Sequence, residues 1–485
     1  MNEIMQKIRT LTLFLLIAGG ATACLRGNAL AAAAISEAGT MREVIEATLA
    51  NNPTVKAMQE YRQAAEFEVS RAGSGRFPRV DIRGGGGMEQ WSDSNTRRPD
   101  YGVPENNPQE KHKFYPRSDA SLVITQNIYD GFLSSSRIRQ SESMLDSADY
   151  RLLDNAEALS LDAILAYIEV FRQRRLLELA EINLRNHKNI LSSQMERHAA
   201  GVADLADVTQ TQARVARSES TLTDTKTSLQ SSYTNFKRIT GRTPAEILEV
   251  PTAPNTSFPS LDNALSNSMT VNAKVLSKKA DVESSYAQKE VDKAAFHPHL
   301  YLELGSSYSW QVQSALTDSW GTAVQLRGEW NLFNGGYDAN TLKSNKARIR
   351  QSNRELQALR DNLARDTEDT WSQWQASHDL VLFYSDAVLY NTQTRDMYLE
   401  QFNVGQRSLM DLLDSENELY SSSIQLVTAQ LNEIAAQYRL FALGGKLLGY
   451  FGIAPESLKV ATNQDDGTRR DLTGTTVNNH AFIPE

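Results

Sequence analysis

Cysteine is nearly absent from this sequence of 485 residues, in which Cys24 is the single example. A chain with one cysteine forms no internal disulfide and offers no cysteine-rich zinc site. The formal net charge of −9 is not accompanied by a dense basic cluster, which argues against nucleic acid as the main partner. After the N-terminus, no segment has the ~20 consecutive apolar residues of a membrane-spanning helix.

Motifs of catalysis and metal binding are also missing. The histidines are scattered, and neither an H-E-x-x-H pattern nor a Cys/His cluster with zinc spacing occurs. The glycines of Gly84–Gly87 lack the Gly-Lys-Ser/Thr that completes a phosphate loop, and no G-x-S-x-G elbow appears. The sequence therefore predicts a protein that is not an enzyme and holds neither a cofactor nor a metal ion.

The N-terminus is typical of an export signal. Lys7 and Arg9 precede an apolar stretch that is short for a membrane span, and Ala29-Leu30-Ala31 fits a cleavage site. This pattern predicts a signal peptide over residues 1–31. Acylation of Cys24 is the alternative, although Ala21 stands where a lipoprotein signal usually has leucine.

Proline and glycine are rare over two long spans. No proline occurs between Pro116 and Pro244, and Gly201 is the single glycine between 131 and 241. The second span, free of proline between 298 and 455, has Gly405 as its single glycine between 336 and 444. Each span predicts two long helices joined by a turn at the glycine. Heptad spacing, which favours paired helices, occurs at Leu177, Ala180, Leu184, His187 and Leu191 and at Ile424, Val427, Leu431, Ile434, Tyr438 and Phe441.

The two spans are copies of one another. Asn127–Gly131 matches Asn331–Gly335, and the same offset of 204 aligns Gly201 with Gly405. The duplication predicts repeats over 32–250 and 251–461, followed by a polar tail over 462–485. The predicted helical hairpins cover about 132–241 and 336–449, and the predicted strands cover about 79–90, 118–130, 299–312 and 320–333.

Strand-like alternation precedes each hairpin. From Trp320 to Leu332 apolar residues alternate with polar ones, and Trp320 and Trp330 lie near the two ends. Trp310 lies near the end of the preceding strand-like segment. Such alternation between interface aromatics is typical of a strand that spans the outer membrane. For the first two strands taken singly, a half-buried strand of a soluble sheet is the alternative. The polar segment Trp91–Arg117 is predicted to be a long extracellular loop.

Four strands are too few to close a barrel, and lipid does not tolerate an open sheet edge. The chain must therefore share its strands with other copies, and three copies supply twelve strands. The predicted fold class is mainly α, with an internally duplicated protomer and a transmembrane β-barrel.

The duplicated unit and its turn motifs resemble the TolC family of outer-membrane efflux proteins. The most specific match is Val404–Asp414 with the following Ser415–Tyr420, and Ala200–Val208 resembles the corresponding turn of the first hairpin. The resemblance implies a homotrimer in the outer membrane of a Gram-negative bacterium, with a twelve-strand barrel continued by a twelve-helix α-barrel through the periplasm. It also implies that the turns, represented here by Gly201, Val202, Gly405 and Gln406, contact a periplasmic adaptor coupled to an inner-membrane transporter of the ABC or RND type.

The resemblance also assigns a periplasmic gate. Asp411 and Asp414 take the positions of the family's acidic ring, and Arg407 takes that of an arginine that holds the entrance closed. Phe402 and Ala206 replace a tyrosine and a threonine, so Arg407 is expected to lock the gate through Asp207 or backbone carbonyls. Ordinary helix-dipole stabilisation is the alternative role of the two aspartates.

The function implied is an exit duct, and the segment Leu412–Leu419 resembles members that serve type I protein secretion more than multidrug members. Small-molecule or multidrug efflux is the alternative cargo class. A surface coiled-coil protein is the alternative outside transport, and it does not explain the strands bracketed by tryptophan. A periplasmic binding or hydrolytic protein would need a concave site for which the sequence provides no motif.

Overall fold

The structure is a computed structural model that describes residues 39–91, 114–254, 258–312 and 318–459. The predicted signal peptide with Cys24, most of the predicted extracellular loop, and the polar tail lie outside the described residues. The described elements, in chain order, are α1 (Met41–Asn51), α2 (Pro53–Gly73), β1 (Arg79–Glu89), β2 (Tyr115–Tyr129), α3 (Leu133–Ala199), α4 (Leu205–Thr240), α5 (Leu261–Thr270), α6 (Ala273–Lys293), β3 (His299–Trp310), β4 (Asp318–Glu329), α7 (Tyr337–Asn403), α8 (Leu409–Leu443), α9 (Leu447–Tyr450) and α10 (Pro455–Lys459).

The duplication is visible in equivalent elements of the two repeats. Helices α3 and α7 each have 67 residues, which corresponds to a rod of about 100 Å. Helices α2 and α6 each have 21 residues. Their N-caps, Asn52 and Asn272, both accept a hydrogen bond from the backbone N–H two residues on, at 2.9 Å. The predicted fold class, in which two strands and a long helical hairpin occur twice, is confirmed. The similarity of the two repeats extends to their helix N-caps.

The long helices continue until a residue that breaks helical structure occurs. A glycine in the left-handed region follows α4, at Gly241 with φ 71°. Helix α8 ends at Leu443 rather than continuing to 449, because Gly444 and Gly445 follow and Gly445 has φ 64°. The short helix α9 then covers part of the segment that was predicted as the end of the hairpin.

The four strands form one antiparallel sheet in the order β1-β2-β3-β4. Strand β2 begins at Tyr115, within the segment predicted as loop, because Arg117 pairs with Gly87 and the ladder continues to Tyr115. Strand β4 ends at Glu329, four residues short of the predicted end. Its partner begins at His299 after a proline that has no N–H, so the ladder has no further pair.

Helices lie side by side in the hairpins. In the half that ends at the turns, α4 contacts α3, α3 contacts α8, and α8 contacts α7. In the half next to the sheet, α2 and α6 flank α3, and α6 also contacts α7. None of the described helices is both long and apolar enough to cross a membrane.

The main core lies around the middle of the hairpins. There α1, the segment 242–254 and residues 444–458 cover α3, α4 and α8; we call these three covering segments the belt. The Tyr167 hydroxyl donates to the carbonyl oxygen of Glu249 at 2.6 Å, and the carbonyl oxygen of Gly39, just before α1, lies 3.0 Å from it. These bonds place the belt on one side of the helical wall.

Candidate functional site

The turns of the two hairpins have the same backbone conformation. Gly201 has φ 75° and Gly405 has φ 77°, both in the left-handed region that glycine adopts most readily. The N–H of Val202 bonds to the carbonyl of Arg197 at 2.9 Å, and that of Gln406 to Gln401 at 2.8 Å. These bonds close each helix end, so the two turns project as matching tips.

The tips expose apolar side chains. Val202 and Val404 are each 70% exposed, and Leu205 is 57% exposed. An added Cβ at Gly201 or Gly405 would meet no atom within 4 Å, so both glycines face open space. Gln406 is exposed as well. The predicted contact residues of both turns are therefore accessible to another protein.

The two predicted gate aspartates lie in the first two turns of α8 and are half exposed. Ser408 caps the helix by accepting the N–H of Asp411 at 3.2 Å. The carboxylate of Asp414 forms an ion pair with Arg214 of helix α4, with a nitrogen–oxygen distance of 3.0 Å. Arg214 joins the two hairpins within one chain, and no local sequence pattern identifies it.

Arg407 lies next to the aspartates, and within the single chain its contacts stay on its own hairpin. Among the described residues its ion pair is with Asp411 at 3.7 Å, not with Asp207. Its guanidinium also lies 4.0 Å from the ring centroid of Tyr398, a cation–π geometry. In this chain Arg407 is held by its own hairpin, and Asp207, in the first turn of α4, is not part of that contact.

Phe402 is buried rather than presented to a channel. It is 6% exposed and packs with Ile190, Leu409, Leu412 and Leu413. The Arg197 guanidinium lies 4.8 Å from its ring, and Arg197 Nη1 donates to its carbonyl oxygen at 3.3 Å. Phe402 thus holds the end of α7 against α3 and α8 by apolar contact. A tyrosine at this position would add a hydroxyl group to that contact.

A buried polar layer lies behind the aspartates. Glu416 of α8 is 6% exposed and accepts hydrogen bonds from Asn186 at 3.1 Å and from Arg395 at 3.2 Å. His187 is 4% exposed, and burial lowers the pKa of its imidazole. In the sequence, His187 is one position of a heptad pattern. That pattern does not predict its polar neighbours, because they lie on other helices.

The sheet has one apolar face that is exposed in the single chain. The register places Ile82 opposite Leu122, Leu304 opposite Val324, and Tyr308 opposite Trp320. Paired residues of a sheet point to the same side. Residues of this face are largely exposed, as at Ile82 (81%), Trp320 (78%), Leu326 (68%), Val324 (67%), Met88 (61%) and Val80 (57%).

The other face of the sheet is polar. Arg327 pairs with Glu303 across β3 and β4 at 2.9 Å, and Arg117 pairs with Asp119 at 2.9 Å and with Glu89 at 3.4 Å. Glycines and small residues lie between these charges. A sheet with one exposed apolar face and one charged face separates lipid from water.

Aromatic side chains mark both ends of the sheet. Trp310 and Trp320 lie at the end where β3 and β4 connect, and they are 40% and 78% exposed. Trp330 lies just beyond β4 at the opposite end, where its Nε1 donates to the carbonyl oxygen of Phe296 at 3.2 Å. All three predicted interface tryptophans are thus accessible at the margins of the apolar face.

Sequence reasoning missed further exposed aromatics where strands meet helices. Phe132 has φ 66°, a conformation that a non-glycine residue rarely adopts, and its ring is 63% exposed. The sequence feature that could have identified them is a phenylalanine a few residues from the end of each strand that faces a helix. The exposed examples are Phe77, Phe132, Phe296 and Phe333.

The described residues contain no group of three or more histidine, cysteine or acidic side chains able to hold a metal ion.

A sequence profile of the outer membrane efflux protein family matches residues 44–242 and 261–446, which cover both repeats. The chain belongs to the outer membrane efflux protein family. It is therefore an outer-membrane channel that extends into the periplasm, not an enzyme, and the predicted TolC-family resemblance is confirmed.

Individual relatives in the efflux protein family are distant. The outer membrane efflux protein BepC of Brucella suis biovar 1 is 21% identical over 332 residues, which cover 67% of this chain and 72% of BepC. The alkaline protease secretion protein AprF of Pseudomonas aeruginosa is 22% identical over 82% of this chain and 83% of AprF. The structure of VceC from Vibrio cholerae superposes with a TM-score of 0.69 at 18% identity, covering 85% of this chain and 96% of VceC, and shows the same fold.

Proposed function

We propose that this channel is a homotrimeric exit duct that passes cargo from a periplasmic adaptor and an inner-membrane transporter to the outside. The observation that supports it most is the sheet of one chain. Among the described residues, strands β1 and β4 each have a neighbour on one side only. In lipid, each unpaired backbone group costs several kcal/mol, so the exposed apolar face requires further strands at both edges. Three copies supply twelve strands and close the barrel.

Helix α7 supports the same assembly with two separate seams. One seam, with alternating steps of three and four residues, is at least partly buried in the chain: Ser377, Val381, Tyr384, Val388, Asn391, Arg395, Tyr398 and Phe402. A second, exposed seam carries large apolar side chains: Leu382, Phe383, Leu389, Tyr390 and Met397. A helix within a closed ring needs two seams, one for each neighbouring helix.

Helix α4, at the opposite side of the hairpins, exposes a seam of small residues. Its members are Ala213, Ala216, Ser220, Thr223, Thr227, Ser231 and Thr234. Large side chains of α7 pack well into the shallow seam of α4 from the next copy, as knobs fill holes. The complementarity favours closure between copies through these two helices.

At the entrance, we assign Asp411 and Asp414 to an acidic ring of six carboxylates in the trimer. Both are partly exposed in the chain and lie near the turns. The ring attracts cations. Arg407 and Arg214 restrain the aspartates from the two hairpins, and Phe402 supports the same region by packing. Asp207 lies at the start of α4, where a contact from another copy can reach it.

The turn tips are the surface that we assign to the adaptor. Gly201 and Gly405 fix their shape, and Val202 and Gln406 are exposed beside them. Exposed valines on a rigid turn offer apolar contact to a partner helix. The transporter behind the adaptor would be of the ABC or RND type.

Protein cargo is the class that we favour. The segment Leu412–Leu419 resembles type I secretion members, and the relative AprF is named for secretion of an alkaline protease. The relative BepC, named as an efflux protein, supports small-molecule efflux as the second candidate.

Cysteine cross-linking tests the shared barrel. The variants carry Cys24→Ser, and Ile82→Cys on β1 is combined with one cysteine on β4: Thr322→Cys, Val324→Cys or Leu326→Cys. Membranes that contain each variant are then treated with an oxidant that forms disulfides. Within one chain three strand spacings of about 4.8 Å separate β1 from β4, too far for a disulfide. At least one pair should give covalent dimers and trimers, and the single-cysteine variants should not. A chain that stays monomeric with every pair, and that is extracted without detergent, would exclude the duct and favour a surface coiled-coil protein.

Deletion of the gene separates the two cargo classes. Loss of specific proteins from the medium, with unchanged drug sensitivity, supports protein secretion. An unchanged set of secreted proteins with sharply increased drug sensitivity would contradict it and support small-molecule efflux.

A further inference from the structure

A cavity of about 420 Å³ lies between helices α3, α7 and α8, halfway along the hairpins. Its size falls in the range of small-molecule pockets. Polar side chains from all three helices line it, and its residues include Glu169, Arg172, Gln373, Ser377, Asn432 and Arg439. The cavity is distant in sequence from the turns and from the aspartates of the entrance.

The cavity has an excess of positive charge. Of the described residues that line it, Glu169 is the one acidic residue, and it pairs with Arg172 at 3.0 Å. Arg439 is exposed, and within the described residues no ion pair or hydrogen bond of its guanidinium occurs. One arginine charge per chain is therefore left without an acidic partner in the lining.

Arg172 also retains hydrogen-bonding capacity. Its Nη2 donates to Asn432 Oδ1 at 2.8 Å, which fixes the guanidinium against α8. Its Nε–H is buried and has no acceptor among the described residues. A buried donor without a partner is uncommon, because its desolvation is not offset by a hydrogen bond. Arg172 is thus held in place by Glu169 and Asn432, and it lines the cavity together with Arg439.

The residues of α3 that line the cavity point away from the belt. Tyr167 and Arg174 of α3 bond to belt carbonyls, Arg174 to Ala245 at 2.8 Å. Glu169 follows Tyr167 by two residues and Arg172 precedes Arg174 by two, which on a helix means about 200° of rotation. In a ring of three copies the belt must lie outside, because three belts would fill the bore. On the proposed function, the cavity then faces the bore.

We propose that this cavity is an oxyanion-binding site for a phosphate or carboxylate group of the cargo. Guanidinium groups bind both kinds of oxyanion through paired N–H donors. Arg439 would supply the free charge, Arg172 the oriented donors, and the amide and hydroxyl groups of Gln373 and Ser377 the remaining hydrogen bonds. Cargo would then pass from an acidic entrance to one ring of three basic sites partway along the duct.

Calorimetric titration of the detergent-purified full chain tests this site, with pyrophosphate and citrate as separate probes. We expect at least one probe to bind the native protein and its Kd to rise about tenfold or more in Arg439→Gln, which loses a charged hydrogen-bond donor. Arg439→Lys keeps the charge and should retain part of the affinity. Arg217→Gln removes an exposed arginine of α4 and should bind as the native protein does.

The stronger probe indicates whether phosphate or carboxylate is preferred. Absence of binding by both probes, or equal affinity in native protein and Arg439→Gln, would overturn the proposal. Because the cavity lies within one chain, this titration reports on it even if cross-linking disproves the trimer. Where the trimer forms, the same probes should reduce its conductance in planar bilayers, and Arg439→Gln should weaken that effect.

Discussion

Glu157 is the clearest case of a buried charge at the scale of a single residue. It lies on α3, is 6% exposed, and its Oε1 accepts the N–H of Leu448 at 3.2 Å, while Oε2 has no partner among the described residues. Burial raises the pKa of this carboxyl to about 7. The side chain joins the long helix to the short helix α9, and its protonation state therefore affects the belt.

The pH dependence of stability follows from the direction of this shift. The folded-state pKa of Glu157 lies above the ordinary glutamate pKa of 4.5, so its contribution to stability is full below pH 4.5 and is lost as the pH rises through 7. Glu157→Gln keeps an acceptor for Leu448 and removes the charge. We expect little change in melting temperature at pH 5, and stabilisation by roughly 1–3 kcal/mol at pH 8.

Thermal unfolding at both pH values measures this effect. Glu178→Gln, on the same helix with an exposed side chain, is the control and should behave as the native protein at both. A Glu157→Gln variant with the native pH dependence would show that Glu157 does not carry the shift.

Gly131 and Gly201 allow a comparison of two left-handed glycines. Both have positive φ, 64° and 75°, and alanine should cost about 1–2 kcal/mol at either for that reason alone. At Gly131 a Cβ would lie 2.6 Å from His297 Cβ and 3.0 Å from the Ala294 carbonyl oxygen, whereas at Gly201 it would meet nothing. We therefore expect Gly131→Ala to lower the unfolding temperature clearly more than Gly201→Ala. Equal decreases in unfolding temperature would show that the backbone between α6 and β3 shifts to accommodate the added Cβ at little cost.

At the scale of elements, the exposed seam of α7 predicts where copies associate. Phe383 and Tyr390 are 67% and 61% exposed in the single chain. Phe383→Asp with Tyr390→Asp would bury two carboxylates against the next copy without partners, which should disrupt the trimer. Size-exclusion chromatography with light scattering in detergent measures the oligomer. Ile247→Asp, at an 85% exposed apolar residue outside the seam, is the control. A trimer that persists in the double variant would exclude this seam.

Element bounds show where local patterns succeed and where they fail. The turns at Gly201 and Gly405 were predictable because a lone glycine between long breaker-free segments leaves one place for a reversal. The end of β4 at Glu329 was not, because it depends on where the partner strand begins. Trp330 follows the alternation of the strand, yet it bonds to Phe296 instead of continuing the ladder.

At the scale of the whole molecule, the acidic ring that we propose for Asp411 and Asp414 exists only in an assembled trimer. Asp411→Asn with Asp414→Asn removes six carboxylates from a trimer and leaves Arg214 without its acidic partner. Cation selectivity in planar bilayers should therefore fall, and block by multivalent cations should weaken. Asp224→Asn, on the exposed surface of α4, should leave both unchanged. Native selectivity in the double variant would remove the ring assignment.

The sequence by itself determined the duplication, the long helices, the strands with tryptophans near their ends, and the family. Each of these depends on the spacing of residue types along the chain, which breakers, heptads and alternation record directly. Only the tertiary structure decided that Arg407 pairs with Asp411, that Asp414 pairs with Arg214, and that Phe402 is buried. The Asp414–Arg214 pair joins residues 200 positions apart, and such contacts depend on how two long helices are positioned along their axes, which no local pattern encodes.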